Sequence, residues 1–166
     1  SMFGFMDCSN IYDKYNKSYN KHSIGRVILG PPGIGKTTFV KNQMGLKHDW
    51  IDQDDLYSDL NVQWHYNECN KGNFKLNNLR ADYITEQSKQ LGYKLIGSLF
   101  WEYVSDAIVI IPLDLHKEYL KNRSDLNYNS VMEVREFLLQ HSKKYHIPLF
   151  DNIKDAVNYV DSIKLL

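Results

Sequence analysis

The sequence predicts an α/β protein whose parallel sheet is covered by helices on both faces. Two observations predict it. From residue 26 onward, short apolar runs alternate with amphipathic stretches of helical length, the pattern of parallel strands joined by helical crossovers. Between the first such strand and the first such helix lies Gly30-Pro31-Pro32-Gly33-Ile34-Gly35-Lys36-Thr37. That string is a complete G-x-x-x-x-G-K-S/T phosphate-binding loop.

The elements follow in order. Residues 1–23 are polar and rich in Tyr, Asn and Lys. Met6, Ile11, Tyr15 and Tyr19 recur near helical spacing, which predicts a short leading helix packed on the domain's edge. Residues 1–24 therefore read as an N-terminal helical extension of a domain spanning 25–166. Arg26-Val27-Ile28-Leu29 reads as a buried strand, and Thr37 to Gln43 as the helix that follows the loop. Asp49-Trp50-Ile51 reads as a second strand, ending in Asp52-Gln53-Asp54-Asp55. Residues from about 56 to 78 form a mixed insert with one or two short helices. Leu79, Tyr83, Ile84, Gln87 and Leu91 keep one helical face, and Gly92 is a natural stop.

Tyr93 to Leu99 and Ala107 to Ile111 read as the third and fourth strands, the latter ended by Pro112. Asp114 is placed to cap a helix running to about Arg123. Arg123 to Asn129 is polar and reads as a loop. Ser130-Val131-Met132-Glu133 matches a capping box, with Val134, Phe137, Leu138 and His141 continuing that helix. Ile147-Pro148-Leu149-Phe150 is a last strand. Asn152 then caps a final helix that turns Ile153, Ala156, Val157, Val160 and Ile163 inward.

Bulk properties narrow the function. A chain of 166 residues is about one domain. Lys+Arg and Asp+Glu are both 20, so no overall basic bias points to an extended nucleic-acid groove or an anionic membrane. The two cysteines, Cys8 and Cys69, have no metal-ligand or redox spacing. No apolar stretch approaches the roughly 18 residues a membrane span needs. A cytoplasmic protein with reduced thiols is expected.

The loop carries the chemistry. Its glycines let successive backbone N–H groups curl around an anion. Lys36 can reach β- and γ-phosphates, and the Thr37 hydroxyl can hold Mg²⁺. A nucleoside triphosphate, ATP, is the expected ligand. The next question is where the second magnesium-directing acid sits. Neither Gly97-Ser98-Leu99-Phe100 nor Ile111-Pro112-Leu113 carries an Asp-Glu pair after its strand, and no Asn-Lys-x-Asp string occurs. The acids follow the second strand instead, at Asp52, Asp54 and Asp55. Spaced i, i+2 at a strand end, Asp52 and Asp54 put both carboxylates on one side of the pleat. One would serve the metal and the other would take a proton from an acceptor hydroxyl. The plainer alternative is that these acids cap the next helix, a role that suits Asp55 best.

At these residues the chain resembles the small P-loop kinases of the adenylate kinase, shikimate kinase and gluconate kinase group. The loop through Thr38 is similar to that of adenylate kinases. Trp50-Ile51-Asp52-Gln53-Asp54 is similar to the Asp-x-Asp of shikimate and gluconate kinases. Ala107 to Asp114, with the helix ending at Arg123, is similar to the strand and helix before a mobile lid. The resemblance covers about residues 25–166. It implies a three-layer P-loop NTPase fold with a five-stranded parallel sheet, an acceptor-binding insert at about 56–78 and a short lid at about 123–130. It further implies that Gly30, Gly33, Ile34, Gly35, Lys36, Thr37 and Thr38 hold phosphate, and that Thr37 and Asp52 serve Mg²⁺. Lys36, Asp52, Asp54 and Arg123 would be catalytic. Asp54, Arg80 and Arg135 would bind the acceptor, and Asn152 with Ile153 would close the adenine pocket.

There are departures. Gly97-Ser98 stands where shikimate kinases have three glycines, and the lid lacks an arginine-rich pattern and zinc ligands. Trp64, His65, Tyr66 and Phe74 offer aromatic faces for a nucleobase. The expected function is an ATP-dependent phosphotransferase acting on a small molecule, most plausibly a nucleoside or nucleotide. The alternatives are a polynucleotide 5′-hydroxyl kinase and a non-catalytic or AAA+-like nucleotide-binding module.

Overall fold

The computed structural model describes residues 9–57, 71–72, 74–98 and 102–163. Trp64, His65, Tyr66, Cys8, Cys69, Leu99 and Phe100, and the side chain of Phe74, lie outside the described residues.

Five parallel strands form one sheet in the order β2-β3-β1-β4-β5: β1 (Arg26–Leu29), β2 (Trp50–Asp52), β3 (Lys94–Gly97), β4 (Ala107–Val109) and β5 (Leu149–Phe150). Every pairing is parallel, with Ile28 opposite Ile96 on one side and Ala107 on the other. The chain leaves β1 toward β2 and leaves β4 toward β5. The switch in direction therefore falls between β1 and β4, where open α/β sheets form a crevice at the strands' carboxyl ends. The 30–37 loop emerges at that point.

Strand side chains alternate between the two faces, as the two-residue repeat requires. Val27, Leu29, Ile51, Leu95 and Ile108 join α1 (Ser9–Ser18), α3 (Phe74–Gln90) and α5 (Tyr128–Tyr145) in one core. Ile28, Ile96, Ala107 and Val109 join α2 (Lys36–Lys41) and α6 (Ile153–Ser162) in the other. Helices thus flank the sheet on both sides, as expected. The leading helix is built into the first core. Tyr12 and Tyr15 are buried, and the Tyr12 ring stacks on Tyr93 at 5.6 Å.

Three local expectations are corrected. Residues 53–57 are helical, so the strand stops at Asp52 and Asp54 does not share a pleat with it. Asp52 itself caps that turn, its Oδ1 accepting from the Asp54 amide at 3.0 Å; an Asp at a strand end offers the first helical amides an acceptor. α4 (Leu113–Leu120) starts after Pro112 without a side-chain cap, which puts Asp114 in the first turn instead. α5 is capped by Asn127, whose side chain accepts from the Ser130 amide at 3.0 Å, so Ser130 is helical and no capping box forms there. Asn is as good a cap as Ser, and Asn127 ends the preceding loop. Asn152 caps α6 as expected, accepting from the Asp155 amide at 2.8 Å.

Candidate functional site

The 30–37 loop turns through two glycines with positive φ, 81° at Gly33 and 96° at Gly35. Side chains rarely adopt that backbone, so the turn depends on glycine. Lys36 opens α2 and folds back over the loop, its Nζ donating to the carbonyls of Gly30 at 3.0 Å and Pro31 at 2.7 Å. It is only 9% exposed. Burial pulls its ammonium down to about 8, against the opposing pull of Asp54 and then Asp52; Arg123 adds a weaker lowering effect. Both carboxylates therefore act on the lysine.

The Thr37 hydroxyl donates to Asp52 Oδ2 at 3.3 Å. One Asp52 oxygen thus caps the 53–57 turn while the other faces the loop. A hydroxyl beside a carboxylate is the hard-oxygen pair that suits Mg²⁺. Among the described residues no three His, Cys, Asp or Glu side chains gather at one point. A magnesium ion here would rest on Thr37, Asp52, water and phosphate oxygens, its usual mode beside nucleotides.

A cavity of about 290 Å³ opens in front of the loop. Gly33, Gly35, Lys36, Thr37 and Thr38 of the loop line it together with Asp54, Ser98, Arg123, Asp125 and Leu126. A larger cleft of about 830 Å³ adjoins it. Ile34, Phe39, Ile111, Leu115, Tyr119 and Ile153 give it apolar walls, and Asn152 is at its rim. Gly33, Gly35, Thr38 and Arg123 border both spaces.

The remaining expected residues divide. Arg123 stands between the two cavities, and its Nε and Nη2 grip the Asp125 carboxylate at 2.9 Å each. Asn152 reaches the cleft while its side chain is engaged in the cap and with Asp151 and Asp155. Arg80 is 2% exposed, one of the largest fully buried side chains. Arg135 is among the lining residues of neither cavity, its Nη1 donating to the Ile111 carbonyl at 2.7 Å and to His116 Nδ1 at 3.1 Å. Asp52, Asp54, Lys36, Thr37 and Arg123 are thus brought together, whereas Arg80 and Arg135 are drawn into packed surroundings.

Compared with known protein families, with curated proteins and with solved structures, the chain matches none. No helix among the described residues is long and apolar enough to cross a membrane.

Sequence reasoning missed four neighbours of the loop. His116 is fully buried, and its Nε2 donates to the Pro32 carbonyl at 2.9 Å. Ser98, Asp125 and Leu126 line the smaller cavity. A single histidine within a helix carries no local mark of such a role. Ser98 and Asp125 had a weak one, since each follows a strand or helix end facing the loop.

Proposed function

We propose that the protein is an ATP-dependent phosphotransferase of the P-loop kinase type. The observation that carries this reading is the Thr37–Asp52 contact at 3.3 Å, with Asp54 and Lys36 lining the same cavity. A triphosphate laid along the 30–37 loop would meet backbone N–H groups, the Lys36 ammonium and the Arg123 guanidinium. Those groups offset the charge that develops on a transferring phosphoryl group. Mg²⁺ would supply charge neutralisation for the transferring group. Thr37 and Asp52 are the side chains suited to hold it, the hydroxyl directly and the carboxylate directly or through water. The larger cleft has the apolar walls and polar rim that suit a nucleobase. The acceptor is a small molecule, a nucleoside or nucleotide, entering beside Asp54.

Calorimetric titration with Mg·ATP tests the first half, and ADP formation with and without acceptors tests the second. Micromolar binding that Lys36→Ala weakens at least about tenfold, with ADP formed faster once an acceptor is added, is expected. ADP formation indifferent to every acceptor would indicate a motor or binding module. Dependence on an oligonucleotide end alone would indicate a polynucleotide kinase.

A further inference from the structure

We infer that His116, itself set by Arg135, is the positioning residue of the 30–37 loop: it turns the Gly33 N–H toward a bound polyphosphate. This rests on the kinase reading above in one respect, that the loop is the anion site. The loop's own sequence makes that amide matter. Pro31 and Pro32 have no N–H, so Gly33 is the first residue after Gly30 that can donate to a phosphate oxygen. Gly33 lines both cavities.

The direction of that N–H follows from the Pro32 carbonyl. Both belong to one peptide unit, which is planar and trans. Its C=O and N–H therefore point opposite ways. His116 Nε2 holds the carbonyl at 2.9 Å, so the Gly33 N–H is turned away from His116. One helical turn on, Leu120 packs against the same glycine. A β-carbon at Gly33 would lie 2.6 Å from Leu120 Cδ2. Residues i and i+4 share a helix face, so α4 grips Pro32 and Gly33 together.

The grip needs a proton on Nε2, and Arg135 keeps it there. A guanidinium only donates, and Nη1 of Arg135 lies 3.1 Å from His116 Nδ1 while it also holds the Ile111 carbonyl at 2.7 Å. Nδ1 therefore accepts. The other tautomer would set two donors against each other and leave Nε2 nothing to give Pro32. The two carbonyls before it, of Gly30 and Pro31, are held by Lys36 instead. A polyphosphate would draw Lys36 off them. His116 lines neither cavity, so its bond to Pro32 persists when the anion enters.

The test uses the whole chain with inorganic tripolyphosphate and Mg·ATP as ligands. Calorimetry gives the affinities. Nuclear magnetic resonance of isotope-labelled protein gives the His116 tautomer and the shift of the Gly33 amide on binding. The wild-type ring should carry its proton on Nε2. His116→Leu fills the space without a donor; it should weaken tripolyphosphate binding at least about tenfold and shrink the Gly33 shift. His116→Gln keeps a donor and should recover most of both. Arg135→Met keeps the ring but should leave it a mixture of tautomers, with affinity down about twofold or more. A wild-type proton on Nδ1, or folded Leu and Met variants that bind tripolyphosphate as the wild type does, would each overturn the proposal. Should His116→Leu not fold, Arg135→Met and the wild-type tautomer decide. A wild type that binds neither ligand would bring down the kinase reading and this proposal with it, whereas unchanged variants beside a wild type that binds strike this proposal alone.

Discussion

Arg135 holds His116 in one tautomer. Its Nη1 donates to His116 Nδ1 across 3.1 Å, so the imidazole proton sits on Nε2, which donates to the Pro32 carbonyl at 2.9 Å. The pair ties α4 and α5 to the 30–37 loop, and Arg135 also holds the Ile111 carbonyl where the chain leaves β4. The two helices that bracket the 121–127 segment are therefore braced against the loop beneath it.

Breaking that brace should cost stability. His116→Ala leaves a cavity, an unmet Pro32 carbonyl and a half-buried guanidinium, and should lower unfolding free energy by about 2–4 kcal/mol. His116→Gln, which keeps an amide donor, should recover part of it. Urea denaturation measures both. Burial keeps the His116 pKa below its ordinary value of 6.5. The folded state then binds fewer protons than the unfolded one, so His116 costs stability as pH falls below about 6.5. The Gln variant should lose this acid-side slope.

Lys36 gives a slope at the other end of the scale. Its folded pKa of about 8 lies below the ordinary 10.5. Below pH 8 the full cost of burying its charge is present. Between pH 8 and 10.5 that cost is relieved, because the unfolded chain binds the extra proton. Relative to Lys36→Met, the wild type should gain up to about 3 kcal/mol across this window. Denaturation curves at pH 7, 9 and 10 would expose a flat difference if the lysine were unperturbed. Triphosphate affinity should run the opposite way and fall above pH 8, since the anion needs the ammonium.

Asp52 has two duties that can be separated. Asp52→Asn keeps an acceptor for the Asp54 amide and should cost under about 0.5 kcal/mol. Asp52→Ala removes the cap and should cost about 1 kcal/mol. Both should weaken the magnesium dependence of nucleotide binding by about tenfold. A magnesium titration in which the Asn variant matches wild type would remove Asp52 from the metal side.

Gly97 ends β3 under the Gln53 side chain. A β-carbon at Gly97 would lie 2.7 Å from Gln53 Cβ and would drive into its amide. Gln53 also donates to the Thr85 hydroxyl, which itself donates to the Ala81 carbonyl at 2.7 Å. Gly97→Ala should therefore destabilise by about 1–3 kcal/mol. Gln53→Gly in the same chain, which removes both that β-carbon and the amide, should relieve much of that cost, giving a favourable coupling in a double-mutant cycle.

Asp125 competes with any anion for Arg123, since both guanidinium contacts are 2.9 Å. The pair is exposed, so Asp125→Asn should leave the denaturation midpoint unchanged. Nucleotide affinity should rise by about threefold or more, because the fork is released and a carboxylate leaves the cavity. An unchanged or weakened affinity would show that Arg123 does not reach the nucleotide.

Much of this was legible in local patterns. The glycine loop, its Lys36 and Thr37, the five apolar strands and the Asn152 cap each depend on a few adjacent residues. Errors arose where two local solutions compete. Asn127 and Ser130 are both good caps, and only the path of the 121–127 segment selects between them. Asp54 was expected on a continuing strand, but Asp52 ended the strand by capping the next turn.

The amino-acid order by itself determined an alternating strand–helix chain and a glycine turn with a lysine at its exit, because backbone propensity and side-chain period act over a few residues. The tertiary structure decided the order β2-β3-β1-β4-β5, which carboxylates meet Lys36, and which arginines are spent on carbonyls and a histidine. Those outcomes depend on pairings between residues up to 137 positions apart, as in Arg26 with Ile163. Only the competition for buried space and hydrogen-bond partners settles them.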